Sequence, residues 1–236
     1  DDILYDITPP TITINSPSSN IFTTETAVIF DINEDIYNFN INWVGKSLGV
    51  TDDKVFYSSP NILTVGEINT DDLFIPELKD GYSYSIIFQG QDRAGNSATP
   101  SELNNVKIDL TPPVFSAFYP TGGAFINKLD FGWSLSEDIN SGLLTFISND
   151  TILVELSDNE KNSGNREIAS IFNLNNLKDE SKYSISIKGT DFAGNISEIL
   201  SVEEITYDIS PPELKIKLPK SESFVNNLEV SYDVNE

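Results

Sequence analysis

The chain carries an internal repeat of about 100 residues, and this repeat constrains the fold more than any other feature of the sequence. Residues 5–10 read Tyr-Asp-Ile-Thr-Pro-Pro, and closely similar strings stand at 108–113 and 207–212. Each paired proline is followed at matching intervals by another proline and then by a glutamate. These residues are Pro17 and Glu34, Pro120 and Glu137, and Pro219 and Glu236. Three ungapped agreements indicate repeated domains rather than chance.

A second repeated block closes each complete copy. It occupies residues 78–96 and 177–195, and both versions end in Asp-x-Ala-Gly-Asn. In both copies, the sixth residue after the opening leucine is a tyrosine, and the eighth residue after that tyrosine is an aspartate. The two blocks therefore fix the register of the repeat at both of its ends.

This register divides the chain into four parts. Residues 1–8 correspond to the last strand of a preceding repeat, and residues 9–110 and 111–209 to two complete repeats. Residues 210–236 correspond to the first two strands of a following, truncated repeat. Each complete repeat has the length of a typical domain, and we expect the parent protein to extend beyond this chain in both directions.

Alternating hydrophobic and polar residues predict strands throughout, and no window shows the 3.6-residue periodicity of a helix. Val, Ile, Thr, Phe and Tyr fill these segments, and turn-forming residues separate them. The predicted strands span 11–15, 27–33, 39–44, 82–91 and 105–109 in the first repeat, and 114–119, 129–135, 143–148, 152–156, 168–174, 183–190 and 203–208 in the second. About seven short strands per repeat predict a β-sandwich.

Particular residues fit this architecture. Trp43 and Phe146 fall in the third predicted strand of their repeats, so we expect both to anchor a core. Tyr84 and Tyr183 begin the sixth strand, with the spacing of a tyrosine corner, in which the hydroxyl bonds to nearby backbone. The paired prolines lack an N–H for a sheet ladder and hold the chain extended, which predicts stiff linkers.

The sequence resembles known β-sandwich families over its whole length. The pattern Leu-x-x-Gly-x-x-Tyr-x-Ile at 78–86 resembles fibronectin type III domains. Asp-x-Thr-Pro-Pro together with Asp-x-Ala-Gly-Asn resembles the bacterial immunoglobulin-like repeats of large surface proteins and adhesins. The resemblance implies an all-β fold of tandem immunoglobulin-like or fibronectin type III-like β-sandwiches in an extended array. It also implies an extracellular or cell-surface location, with calcium at domain junctions.

The composition excludes several functional classes. The chain has 14 lysines and arginines against 37 aspartates and glutamates, and its net charge of −23 would repel nucleic acid. Histidine and cysteine are absent, which rules out histidine-dependent catalysis, thiol nucleophiles, zinc fingers and disulfides. No apolar run reaches the ~20 residues of a membrane helix, so we expect no membrane insertion of this segment.

Acidic and amide side chains recur at one end of each predicted sandwich. In a fibronectin-like topology, the linker before a domain meets the turns after its second and sixth strands at that end. The candidate metal ligands are Asp6, Glu34, Asp35, Asp92 and Asn96 in the first repeat, Asp109, Glu137, Asp138, Asp191 and Asn195 in the second, and Asp208 and Glu236 in the third. Asp80 and Asp179 are expected at the opposite end of their sandwiches, facing the next junction.

Two interpretations of these residues remain open. Clustered carboxylates repel one another, and Ca²⁺, which takes about six to eight oxygen ligands, would remove that penalty and clamp neighbouring domains. Alternatively, the aspartate before Thr or Ser caps a turn, and Asp-x-Ala-Gly-Asn forms a tight turn with Gly or Asn at positive φ. The second interpretation needs no metal.

The acidic groups recur in every module, whereas an enzyme needs one active site. We therefore expect a non-catalytic structural or spacer segment of a large extracellular repeat protein, such as an adhesin stalk, surface layer or sheath. The alternatives are accessory modules of a secreted polysaccharide-active enzyme and a segment of a virion fibre. The expected partners are neighbouring repeats of the same chain, with other surface proteins or polysaccharide as further candidates.

Overall fold

The structure, a computed structural model, is an all-β protein, as the alternating sequence pattern predicts. It describes residues 4–47, 50–128, 130–168, 177–227 and 229–235. Within these ranges the helical elements are two short 3-10 turns, Thr70–Asp72 and Asp158–Lys161. No helix in the described part of the chain is long and apolar enough to cross a membrane.

The first sandwich consists of a three-stranded and a five-stranded sheet. Its strands are β1 (Ile12–Ser16), β2 (Phe22–Thr23), β3 (Ile29–Ile32), β4 (Asn40–Ser47), β5 (Val50–Ser58), β6 (Gly66–Asn69), β7 (Ser83–Gln89) and β8 (Ser101–Ile108). The smaller sheet has the order β1-β3-β6, and the larger has the order β2-β8-β7-β4-β5. Because Ile12 lies opposite Ile32 in an antiparallel pair, the start of β1 and the end of β3 lie at the same end of the sandwich.

The second sandwich repeats this topology strand for strand. Its strands are β9 (Phe115–Tyr119), β10 (Phe125–Ile126), β11 (Phe131–Leu135), β12 (Ser141–Ile147), β13 (Thr151–Glu155), β14 (Gly164–Ile168), β15 (Ser181–Thr190) and β16 (Leu200–Tyr207). The sheet orders are β14-β11-β9 and β10-β16-β15-β12-β13. A hairpin of β17 (Leu214–Leu218) and β18 (Ser231–Val234) follows, equivalent to β1 and β3.

Most predicted strands overlap observed ones, but the prediction missed β5, β6 and the two-residue strands β2 and β10. Strand β5 contains Asp52, Asp53 and Lys54, because it lies at the edge of its sheet and pairs with β4 alone. The strand predicted at 168–174 starts earlier, as β14, and residues 169–174 lie outside the described residues. The sequence of β5 does not alternate regularly between apolar and polar residues, and β2, β6 and β10 are too short to show a period.

Each sandwich has its own aromatic core. Trp43 and Phe146 are both fully buried, and they occupy equivalent positions opposite Ile86 and Ile185, so both predicted anchors are confirmed. The sequence analysis missed Trp133 in β11, which is equally buried in the second core. Truncating a buried aromatic side chain of this kind costs about 3–5 kcal/mol.

The two predicted tyrosine corners are present. The hydroxyl of Tyr84 accepts a hydrogen bond from the backbone N–H of Lys79 at 2.9 Å, and that of Tyr183 accepts one from the N–H of Lys178 at 2.8 Å. Tyr84 also donates to the carboxylate of Asp53, 2.5 Å away. Burial and this carboxylate raise the pKa of Tyr84 far above its ordinary value, so the hydroxyl stays protonated and keeps donating.

We expect the two corners to differ in strength. Tyr84→Phe removes both the acceptor of the Lys79 N–H and the donor to Asp53, whereas Tyr183→Phe removes the acceptor of the Lys178 N–H. The first substitution should lower the free energy of unfolding of its sandwich by about 1–3 kcal/mol, and the second by about 0.5–1.5 kcal/mol. Urea denaturation measures both values.

Tyr82→Phe is the matched control, because the Tyr82 hydroxyl bonds to Asp52 in an exposed setting. Its effect should be smaller than that of Tyr84→Phe. Equal losses in these two variants would contradict a structural role for the corner.

Candidate metal centres at the domain junctions

A tight turn follows β15 and is built around the carboxylate of Asp191, which is only 2% exposed. Its Oδ1 accepts hydrogen bonds from the backbone N–H groups of Ala193, Gly194 and Asn195 at 2.7–2.9 Å. Its Oδ2 accepts from the side-chain amide of Asn195 at 2.8 Å. Gly194 has φ of +100°, a conformation that favours glycine. The turn chemistry predicted for Asp-x-Ala-Gly-Asn is therefore present.

The equivalent turn after β7 has the same construction. Asp92 is 4% exposed, and its two oxygens accept from the backbone N–H and the side-chain amide of Asn96 at 2.8 and 2.7 Å. Gly95 has φ of +93°. Burial acts to raise the pKa of Asp92, but the hydrogen bonds from Asn96, Gly95 and Ala94 hold it below its ordinary value. Asp92 is therefore a charged, fixed side chain at neutral pH.

The asparagine of each turn also reaches the interdomain linker. The Nδ2 of Asn195 donates to the backbone carbonyl of Asp109 at 2.9 Å, and the Nδ2 of Asn96 donates to that of Asp6 at 3.2 Å. On its other side, the N–H of Asp109 donates to the carbonyl of Thr23 in the first sandwich at 3.1 Å. The linker residue Asp109 is thus held by both sandwiches.

The linker aspartates cap their own turns as well. In all three copies, an aspartate oxygen accepts from the backbone N–H two residues later, at 2.9–3.2 Å. The residues concerned are Asp6, Asp109 and Asp208. This bond fixes the direction of each side chain at the entrance to the next sandwich.

A glutamate completes a carboxylate triad at each of two junctions. Glu34 follows β3 and Glu137 follows β11, so both project from the end of the sandwich at which the linker enters. The triads are Asp6, Glu34 and Asp92 in the first repeat, and Asp109, Glu137 and Asp191 in the second. In each triad, the candidate ligand oxygens all lie within 4.8 Å of one another.

The crowding of negative charge shifts pKa values within the triads. Burial and then the neighbouring carboxylates raise the pKa of Glu34 and of Glu137 above the ordinary value. Burial also raises the pKa of Asp109, and the charges of Asp191 and Asp80 act in the same direction. Negative charge on Glu34, Glu137 and Asp109 is therefore less favourable than on the same groups free in water.

Six predicted ligands are not part of either triad: Asp35, Asn96, Asp138, Asn195, Asp208 and Glu236. Asp35 accepts from the backbone N–H of Val65 at 2.9 Å, and Asp138 from that of Ser163 at 2.7 Å. Each of these two aspartates therefore connects its own turn to the loop that carries its hydrogen-bond donor. Asp208 lies in the linker before the hairpin, and Glu236 lies outside the described residues.

An aspartate of the preceding sandwich also holds each linker. The sequence analysis predicted the end of the sandwich at which this aspartate lies, but not its contacts with the linker. Asp80 accepts from the backbone N–H of Leu110 at 2.7 Å and from the hydroxyl of Thr111 at 2.6 Å. Asp179 makes the same two contacts with the next linker, also at 2.7 and 2.6 Å. Each of these two linkers is therefore held against the preceding sandwich by hydrogen bonds as well as restricted by its paired prolines.

A family model of the bacterial Ig-like domain (group 3) matches residues 1–103 and 75–201, and the chain belongs to this family. No curated protein matches the chain. Three solved structures are similar to it at 12–14% identity.

One of these structures is a tetra-tandem repeat in the extending region of a large adhesion protein, with 13% identity and a TM-score of 0.37 over 91% of this chain and 53% of that one. Another belongs to a 1.5-MDa bacterial ice-binding adhesin, with 14% identity and a TM-score of 0.31 over 85% of this chain and 65% of that one. The FN1–FN3 domains of chicken CNTN1 match with 12% identity and a TM-score of 0.33, over 88% of this chain and 71% of that one. The chain therefore spans between half and two thirds of the two adhesin structures.

The hydrogen bonds to Asp80 predict a pH-dependent contribution to stability. The Leu110 N–H and then the Thr111 hydroxyl hold the pKa of Asp80 below its ordinary value. Because the pKa is lower in the folded state, the stabilisation is complete above about pH 4 and is lost as the pH falls through the folded-state pKa. We expect Asp80→Ala to cost about 1 kcal/mol at pH 7 and progressively less below pH 4.

Urea unfolding of both proteins between pH 2.5 and 7 measures this difference. Asp72→Ala, which removes an exposed acid that takes no part in the hydrogen bonds between Asp80 and the linker, serves as the control for the change in net charge. A difference between Asp80→Ala and the unsubstituted chain that stays constant over the whole pH range would contradict the assigned role.

Proposed function

We propose that this chain is a non-catalytic structural segment of a large extracellular repeat protein, in which Ca²⁺ at the domain junctions stiffens a rod of sandwiches. The observation that carries the proposal is the recurrence of one carboxylate triad at equivalent positions of both complete repeats. A group that recurs in every module suits a structural role, because the length of such a rod is set by the number of modules.

The geometry of the triads fits calcium. Ca²⁺ binds oxygen ligands at about 2.3–2.6 Å, so two oxygens on opposite sides of the ion lie about 4.8 Å apart. The ligand oxygens within each triad meet this limit. Asp6, Glu34 and Asp92 would hold one ion, and Asp109, Glu137 and Asp191 the other. Backbone oxygens and water would complete the coordination shell.

Calcium would also relieve the electrostatic cost of the junction. The raised pKa values of Glu34, Glu137 and Asp109 reflect the penalty of placing carboxylates together in a partly buried position. A divalent cation offsets this repulsion directly. It therefore binds the folded junction better than the unfolded chain and stabilises the folded state.

The same ion would join two domains. Glu137 and Asp191 belong to the second sandwich, whereas Asp109 belongs to the linker that Asp80 and Thr23 tie to the first sandwich. A cation shared by these three carboxylates connects both sides of the junction. Its mechanical effect is to restrict bending at the linker.

The proposed setting is the bacterial surface, and the proposed partners are neighbouring repeats of the same chain. Membership of the bacterial Ig-like family supports this setting. The net charge of −23 favours a well-solvated rod. Extracellular calcium modules bind the ion with dissociation constants of about 10⁻⁴–10⁻³ M, so millimolar calcium is the relevant condition for a test.

Calcium should raise the melting temperature of the chain, and the glutamates should be required for the effect. A site saturated at 100 times its dissociation constant adds about 2.7 kcal/mol, which corresponds to several degrees for a ~100-residue domain. Glu34→Gln and Glu137→Gln each remove one charge from a triad while keeping the shape of the side chain. Each should abolish the calcium-dependent shift of its own sandwich, measured by scanning calorimetry with calcium and with chelator.

Glu102→Gln provides the control, because Glu102 is an exposed strand residue outside both triads. Its calcium-dependent shift should equal that of the unsubstituted chain. An unchanged melting temperature of the unsubstituted chain at 10 mM calcium would refute the metal sites and leave the junctions with turn chemistry alone.

A further inference from the structure

An aromatic contact joins the two complete sandwiches beside the second triad. The ring of Phe192, in the turn after β15, lies 6.4 Å from the ring of Phe22 in β2, with an angle of 39° between the ring planes. The ammonium nitrogen of Lys107 lies 4.4 Å from the centre of the Phe22 ring. This distance is within the range of a cation–π interaction. Three side chains from two domains thus form one cluster.

These two phenylalanines do not belong to either core. Phe22 is 40% exposed and Phe192 is 58% exposed, whereas the core phenylalanines are at most 8% exposed. Both rings line a cleft of about 500 Å³ at the junction, together with Asp109 and Asp191. The aromatic contact that each of these two rings makes is with the other domain.

We propose that Phe22 and Phe192 form an interdomain latch that holds the two sandwiches in one relative orientation without any metal ion, with Lys107 positioning the Phe22 ring. The turn that carries Phe192 is rigid, because the buried carboxylate of Asp191 fixes three of its backbone N–H groups. Phe22 is fixed at the other side by the pairing of β2 with β8, where it lies opposite Lys107. A contact between two fixed groups restricts the angle between the domains that carry them.

The equivalent positions elsewhere in the chain do not repeat this aromatic contact. Arg93 occupies the place of Phe192 in the first repeat. Phe125 occupies the place of Phe22 in the second repeat, where it lies opposite Thr206 rather than a lysine and is 76% exposed.

The test measures the distance between the two domains in the intact chain. Because the chain lacks cysteine, Lys54→Cys and Thr151→Cys give one spin-label pair across the junction, at exposed positions away from the latch. Pulsed electron–electron double resonance then gives the distribution of distances between the two spin labels, measured once with chelator and once with 10 mM calcium. In chelator, we expect a narrow distribution that broadens in Phe192→Ala and in Phe22→Ala.

The pattern among variants identifies the latch. The double substitution should broaden the distribution no more than either single one, because both remove the same contact. Phe192→Tyr keeps an aromatic ring at this position and should retain the narrow distribution of distances. Phe125→Ala removes an equivalent ring that does not contact the other complete sandwich, and it should have no effect. An aromatic pair of this geometry should change the ratio of docked to undocked chains by about two- to tenfold.

The calcium arm separates this inference from the proposed metal sites. A distribution that is equally narrow in Phe192→Ala and the unsubstituted chain, with chelator present, would overturn the latch even if calcium stiffens both. Broadening in Phe192→Ala without any effect of calcium on any variant would support the latch and refute the metal sites. Additive broadening in the double variant would also overturn the latch.

Discussion

The junctions of this protein depend on one buried carboxylate per module. This carboxylate accepts the hydrogen bonds that form its own turn and at the same time faces the linker. Asp191 accepts three backbone hydrogen bonds and orients Asn195, and the amide of Asn195 in turn donates to the carbonyl of Asp109. Without this arrangement, the turn would lose its fixed shape and the linker would lose its hydrogen bond to Asn195. The position of Asp191 in the triad, the contact of Asn195 with the linker and the position of Phe192 all depend on this turn.

Turn chemistry and metal binding are compatible uses of the same residues. The hydrogen bonds at Asp92 and Asp191 account for the Asp-x-Ala-Gly-Asn motif, and they leave these carboxylates beside Glu34 and Glu137. Neither glutamate is needed to form the turn. Burial, and then the neighbouring carboxylates, raise the pKa of both glutamates. The glutamates are therefore the residues whose substitution separates the proposed metal site from a turn motif.

The sequence predicted those features that depend on local spacing or on a common topology. Trp43 and Tyr84 were placed correctly, because strand periodicity and the spacing from a preceding leucine identify their positions. The sequence also indicated that the acidic residues of the linker and of the turns lie at the same end of the sandwich. It did not indicate that Glu34, rather than its neighbour Asp35, belongs to the triad. That choice depends on the backbone direction of a single turn. The contact of Phe22 was not predictable, because it depends on a two-residue strand and on the orientation of two domains.

Isothermal titration of the chain with calcium tests the metal sites most directly, because it counts ions. We expect two calcium ions per chain at the complete triads, one in Glu34→Gln, one in Glu137→Gln and none in the double variant. The dissociation constants should fall at about 10⁻⁴–10⁻³ M or below. No binding at 10 mM calcium, or a stoichiometry that neither glutamate substitution changes, would contradict the presence of calcium at these junctions.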